Sequence, residues 1–252
     1  MPGTEGKGGE QYTKALGFPG DVVVPNLTPF GVGSWSDGEL DRAITVGVTR
    51  EGRALFPVMP YPHYAKLCQD DVDAIVAFVR TLPPIEHTPP ATSLSFPMSL
   101  IVNSIPADSA RPACPPAGDV IERGRYLVEV ASCVECHSPV KRGQVVPGSE
   151  FAGGRLMRVP TGTVASANLT PGGPLGGFTA EAFVARMRVH SAADAVVVEA
   201  GGLQTPMPWT AYAGMSDDDL AAIFAFLQTV PKKATTPGPE GEVSPVWQPT
   251  AP

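Results

Sequence analysis

Cys133-Val134-Glu135-Cys136-His137 sets two thiols three residues apart with an imidazole directly after them. On one turn of chain, such a pair reaches two carbons on one edge of a porphyrin while the next residue offers nitrogen to its iron. This is the C-x-x-C-H spacing of covalent haem attachment. Two other chemistries use paired cysteines. A zinc site calls for two further soft ligands at paired spacing, yet Cys68 and Cys114 are single residues far upstream and His190 has no partner close by. A thioredoxin-like redox pair needs a strand leading into a helix within a βαβ unit, and no such alternation surrounds Cys133. Haem is the favoured reading, with zinc and thiol redox as alternatives.

A sixth ligand is sought outward from that motif, and an internal repeat directs the search. Residues 207–231, MPWTAYAGMSDDDLAAIFAFLQTVP, align without gaps on residues 59–83, MPYPHYAKLCQDDVDAIVAFVRTLP, with identity at 12 of 25 positions. Upstream, Asn168-Leu169-Thr170-Pro171 repeats Asn26-Leu27-Thr28-Pro29, each followed by a glycine-rich turn and an aromatic, Phe178 or Trp35. Between these landmarks the second copy is six residues longer, which places an extra loop near Ser191 to Gly202. Met207 opens the duplicated closing segment and is the expected distal ligand. Its competitors are Met157, which has no duplicate, Met187, which lies in a predicted helix over Ala180 to Val189 and is equally a core filler, and Met215, whose alignment with Leu67 suggests packing.

Both copies close on an amphipathic helix. In the second, Ser216 caps the free amides, Asp217, Asp218 and Asp219 meet the positive helix end, and Leu220, Ile223, Phe224 and Leu227 form the apolar stripe. The triple aspartate therefore reads as structural. Cys68 stands where the second copy has Ser216, a helix start that asks only for a small side chain. A Cys68–Cys114 disulfide would suit an oxidising compartment.

Twenty-seven Gly and 29 Pro indicate short elements held by long loops. A net charge of -7 without a basic cluster disfavours a nucleic-acid surface. There is no phosphate-cradling glycine loop, Ser-His-Asp set or spaced carboxylate pair, so intrinsic hydrolase or nucleotide chemistry has no support. No apolar run approaches the eighteen or so residues of a membrane-spanning helix. The remaining histidines read plainly: His63 in a loop, His87 in a linker, His190 at a helix end where a cation is favourable.

Arg123-Gly124-Arg125-Tyr126-Leu127, the Cys133 to His137 motif, Gly153-Gly154, the Asn168 to Pro171 loop and Met207-Pro208-Trp209 together resemble a class I c-type cytochrome domain. The tandem layout is similar to the multihaem cytochrome c subunits of periplasmic alcohol, gluconate and related dehydrogenases. The resemblance implies an all-α fold around haem, with a helix near Gly124 to Val130 crossing the last helix near Phe226 and Gly124 allowing the close approach. It covers residues 118–233 well and 6–84 in part.

The first copy lacks C-x-x-C-H. His137 precedes Asn168 by 31 residues, so a counterpart to it would precede Met1. The expectation is a partial cytochrome c-like domain over 1–84, with a haem motif and export signal upstream of the given sequence; a degenerate domain that lost haem is the rival. Residues 85–117 form a proline-rich linker whose apolar stretch from Phe96 to Ile105 is expected to dock. Residues 118–233 form the cytochrome c domain with one covalent haem c, and 234–252 a flexible tail or strap. Pro147 is a candidate carbonyl partner for the second nitrogen of His137.

Imidazole on one face and thioether on the other stabilise the ferrous state and leave no open coordination site. The chain is accordingly expected to be a periplasmic electron carrier rather than an enzyme. Cys133, Cys136, His137 and Met207 would hold the group, and a dehydrogenase subunit, other cytochromes or a terminal oxidase would be its partners. Peripheral membrane association is compatible with this. A haem enzyme or gas sensor with an open sixth site, or a non-redox scaffold subunit, are the alternatives.

Overall fold

The structure, a computed structural model, describes residues 6–141, 143–159, 162–191 and 206–235. Most of the expected extra loop and of the tail lie outside these residues. The chain divides into two units, one running through Cys114 and the other beginning at Pro115.

In the first unit, β1 (Gln11–Tyr12) pairs antiparallel with β2 (Gly20–Val23), Gln11 opposite Val23. Four helices follow: α1 (Pro29–Val32), α2 (Asp37–Thr45), α3 (Tyr61–Tyr64) and α4 (Gln69–Thr81). Ser36 and Glu39 start α2 with a reciprocal capping box, each side chain accepting from the other's backbone N–H. Leu40, Tyr61, Leu67, Val72 and Val76 are buried in its core. The proline-rich stretch adds β3 (Ser93–Leu94), paired antiparallel with β2, and the single turn α5 (Met98–Ile101). Val102 there is buried, whereas Phe96, Leu100 and Ile101 are exposed rather than docked. Cys68 and Cys114 form a disulfide. Cys68 therefore holds the start of α4 without a side-chain cap, where Ser216 supplies a cap in the duplicate.

The second unit begins with α6 (Val120–Val130), capped by Asp119 through Glu122 N–H at 3.0 Å, and the single turn α7 (Cys133–Cys136). Two hairpins follow, β4 (Val140–Lys141) with β5 (Gln144–Val145) and β6 (Leu156–Val159) with β7 (Gly162–Ala165). The chain ends in α8 (Ala180–Arg188), α9 (Trp209–Ala213) and α10 (Asp217–Thr229). Thr179 caps α8 and Ser216 caps α10, as the sequence indicates for the latter. Leu127 and Val128 from α6, Phe183 and Met187 from α8, and Leu220, Ile223 and Leu227 from α10 share one buried core. Gly124 makes the α6–α10 contact: a Cβ there would lie 1.9 Å from the Ala222 carbonyl oxygen and 2.8 Å from the Phe226 Cβ. Only hydrogen fits.

The all-α expectation is thus too narrow. The chain is mostly helical, but its glycine- and proline-rich loops return on themselves as short antiparallel pairs, which satisfy backbone groups that helices cannot reach. Among the described residues, no helix is long and apolar enough to cross a membrane.

The repeated Asn-Leu-Thr-Pro loops act as clamps. Asn168 Oδ1 accepts from the backbone N–H and the hydroxyl of Thr170 at 2.8 Å each, while its Nδ2 donates to the Lys233 carbonyl at 2.8 Å and to Thr235. Lys233 N–H in turn donates to the Thr170 hydroxyl at 3.1 Å. The first unit repeats the pattern: Asn26 accepts from Thr28 twice and donates to the Ile85 and His87 carbonyls, and Ile85 N–H donates to the Thr28 hydroxyl. Each clamp fastens the segment after the closing helix to the loop, and all four clamp residues are buried.

Candidate functional site

Helix α6 hands the chain to the Cys133 turn through Ser132, a non-glycine residue in the left-handed conformation at φ 52°. The preceding carbonyl, Ala131, accepts from the Tyr212 hydroxyl of α9 at 3.0 Å, which pins the turn to the distal segment. Cys133 is half-buried against the core of the unit and Cys136 is exposed; both are free thiols. Burial pushes the Cys133 thiol up to about 12, with Cys136 beside it adding to the shift.

His137 is held at two points. Its carbonyl accepts from Gly153 N–H at 2.8 Å, and its Nδ1 lies 2.8 Å from the Ala167 carbonyl oxygen. A carbonyl only accepts, so Nδ1 carries the proton and Nε2 keeps its lone pair. Burial pulls the imidazole below the ordinary histidine range, with the Ala167 carbonyl opposing. The neutral ring with a free Nε2 is the ligating form. Gly153 makes this approach possible: at φ +70°, a Cβ would stand 2.5 Å from Asn168 N and 2.6 Å from the Ala167 carbonyl carbon.

The expected partner Pro147 is therefore corrected to Ala167. Any residue can supply a backbone carbonyl, so residue type gives no signal. Position does, because Ala167 immediately precedes the clamped Asn168 loop.

Met207 is half-buried and packs against the same core as Cys133; its carbonyl accepts from Trp209 N–H at 2.8 Å at the start of α9. The competing methionines have packing roles. Met157 is buried with Val164 on the β6–β7 hairpin, Met187 lies in the main core and Met215 lies against it. Asp217 pairs with Arg188 at 2.5 Å and Asp219 with Arg123 at 2.9 Å, so two of the three aspartates tie α10 to α8 and α6. Among the described residues there is no group of three or more His, Cys, Asp or Glu able to hold a metal ion. Two free thiols on one turn, a neutral imidazole with a free Nε2 and a thioether facing the same core fit a covalently attached haem.

Comparison with known proteins agrees. Residues 121–231 match the cytochrome c family. The chain is 36% identical over 141 residues to a diheme cytochrome c-type protein of Cereibacter sphaeroides, covering 52% of this chain and 47% of that one. It is 29% identical over 229 residues to the fructose dehydrogenase cytochrome subunit of Gluconobacter japonicus, covering 85% and 46%. It is 27% identical over 248 residues to the cytochrome c subunit of a quinone alcohol dehydrogenase of Gluconacetobacter polyoxogenes, covering 88% and 51%. The chain thus spans about half the length of these relatives.

Proposed function

We propose that residues 121–231, which match the cytochrome c family, form a cytochrome c domain, and that the chain carries electrons one at a time as the cytochrome subunit, or part of one, of a periplasmic dehydrogenase. A c-type haem bound there supplies one-electron cycling between ferrous and ferric iron. Cys133 and Cys136 would hold the group by thioether links, and His137 through Nε2 and Met207 through its sulfur would be the ligands of its iron. The soft sulfur favours the ferrous state and raises the potential. Ala167 fixes the ring plane and tautomer of His137, and the core of α6, α8 and α10 keeps water away, so little reorganises on transfer. One haem is assigned to this chain.

The dehydrogenase partner rests on the relatives, which are named as cytochrome subunits of fructose and alcohol dehydrogenases. Onward acceptors would be other cytochromes or a terminal oxidase.

The observation that carries the reading is His137 with Nδ1 committed to Ala167 and Nε2 left for iron. The test is intact mass and a reduced pyridine haemochrome spectrum on protein matured in a haem-attaching host. One haem per chain is expected, with a far-red methionine-to-iron charge-transfer band in the oxidised state and no carbon monoxide binding in the reduced state. Colourless protein with Cys133 and Cys136 free overturns the reading; rapid carbon monoxide binding transfers it to the enzyme or sensor class.

A further inference from the structure

His190 is the one histidine whose surroundings the electron-carrier reading leaves unexplained. It follows α8, its backbone N–H donating to the Met187 carbonyl at 3.1 Å. Its Nδ1 and Nε2 are both buried, and neither has a hydrogen-bond partner among the described residues. The ring stacks on Trp209 at 4.4 Å between centroids and 29° between planes, and the Arg186 guanidinium lies 5.3 Å from the centre of the same indole. Trp209 is two residues beyond Met207 on the segment that presents the sulfur. Buried polar atoms in native proteins are nearly always satisfied, and an exception points to a partner beyond the described residues.

The duplicate shows that the fold does not require an imidazole at this position. Counting from the helix caps Ser36 and Thr179, His190 corresponds to Gly47, and counting from Met207 and Met59 in the ungapped closing repeat, Trp209 corresponds to Tyr61. Gly47 adopts φ +77°, and a Cβ there would lie 2.5 Å from the Tyr61 ring. The first unit therefore brings bare backbone against its aromatic, whereas the second brings an aromatic nitrogen base.

We propose that His190 is a second donor to the sixth coordination site, held in reserve against Trp209 and taking the iron when Met207 is absent or released. This rests on haem being attached at Cys133, Cys136 and His137. A nitrogen lone pair is a competent iron ligand, and exchanging thioether for imidazole lowers the reduction potential, since the softer sulfur is what favours ferrous iron. The exchange forms an Fe–N bond as the Fe–S bond breaks, with no change in electron count. It would turn a carrier tuned to accept electrons into one that gives them up more readily.

The test uses the matured protein and its spin state. Met207→Ala is expected to stay six-coordinate and low-spin, with a bis-imidazole electron paramagnetic resonance signature and no rapid carbon monoxide binding. Met207→Ala/His190→Ala is expected to become high-spin and to bind carbon monoxide readily. A high-spin single variant, or a double variant that stays low-spin, overturns the proposal. If Met207→Ala fails to mature, the unaltered protein and His190→Ala are compared in mild guanidinium. Once the far-red band has gone, the former should remain low-spin and the latter turn high-spin, and identical behaviour overturns the proposal. The far-red band of the unaltered protein reads Met207 and is scored separately, so loss of that assignment is distinguishable from loss of this one.

Discussion

Helices α4 and α10 descend from one repeated segment, yet they live in different surroundings. Ile223 and Phe226 of α10 are buried beneath α6, at 6% and 8% exposure, while their counterparts on α4, Ile75 and Phe78, stand at 37% and 65%. The faces they share with the rest of their own units are alike: Leu220 and Val72 are both buried, as are Phe224 and Val76. What differs is the helix laid across the outer face. The pattern of the second unit therefore has two separable parts. One is a closing helix clamped to the Asn-Leu-Thr-Pro loop, present twice; the other is the α6–α7 segment with Gly124 and the Cys133 to His137 motif, described once.

The widest separation between the copies should come from truncating the paired phenylalanines. Phe226→Ala removes a buried ring and should cost about 3–5 kcal/mol, whereas Phe78→Ala should change stability by about 0.5 kcal/mol or less. Guanidinium unfolding of the matured protein, followed at the haem and by far-ultraviolet circular dichroism, measures both. Equal costs would mean that the outer face of α4 is covered in solution, and the contrast would collapse.

A smaller and symmetrical effect is expected at the clamps. Asn168→Ala and Asn26→Ala each strip two acceptor and two donor contacts and strand buried threonine and carbonyl groups, a loss of about 2–3 kcal/mol. Amide hydrogen exchange at Lys233 and Ile85 should accelerate in the respective variants. An effect in one copy alone would show that the two loops are alike in geometry but not in duty.

The smallest effect concerns an ion pair described only in the second unit. Lys233 Nζ lies 2.9 Å from Glu150 Oε2, and that bond, with the Gly148 N–H, holds the Glu150 carboxyl down to about 2. A folded pKa below the unfolded one stabilises at pH above the unfolded value, about 4.3, and the gain is lost as pH falls toward 2. The pair is largely solvated, so the gain is under about 1 kcal/mol. Glu150→Gln should thus lower the guanidinium midpoint slightly at pH 7, and the gap should narrow below about pH 4 and close only as pH reaches about 2. A gap unchanged with pH would assign the contact to packing rather than charge.

Much of this arrangement was legible in residue types. Ser216 as a cap follows from chemistry local to one element, whereas Gly124 as the point of helix contact follows from the resemblance to c-type cytochrome domains. The repeat also located the two clamps, since Asn and Thr recur where a side-chain oxygen must serve backbone groups. The rest depended on partners distant in sequence. Ala167 accepts from His137 through its backbone, which leaves no mark on side-chain identity. The unsatisfied state of His190 is a property of its surroundings, invisible in a lone histidine at a helix end. The short strands escaped because two- to four-residue ladders carry too little alternation to register. The Cys68–Cys114 link could be suggested from compartment alone, but pairing needs proximity that sequence separation does not report.

That link sets a problem of order during biogenesis. The proposed thioether attachment at Cys133 and Cys136 would require both sulfurs reduced, while Cys68 and Cys114 must surrender two electrons to an oxidant. Four cysteines admit three pairings, and two of them would tie Cys133 or Cys136 to the wrong half of the chain. Cys68 is almost wholly buried within its own unit, so folding of that unit withdraws it from exchange and leaves the motif thiols as each other's remaining neighbours. A reductant acting on exposed sulfur can then keep the attachment site open without undoing the bridge.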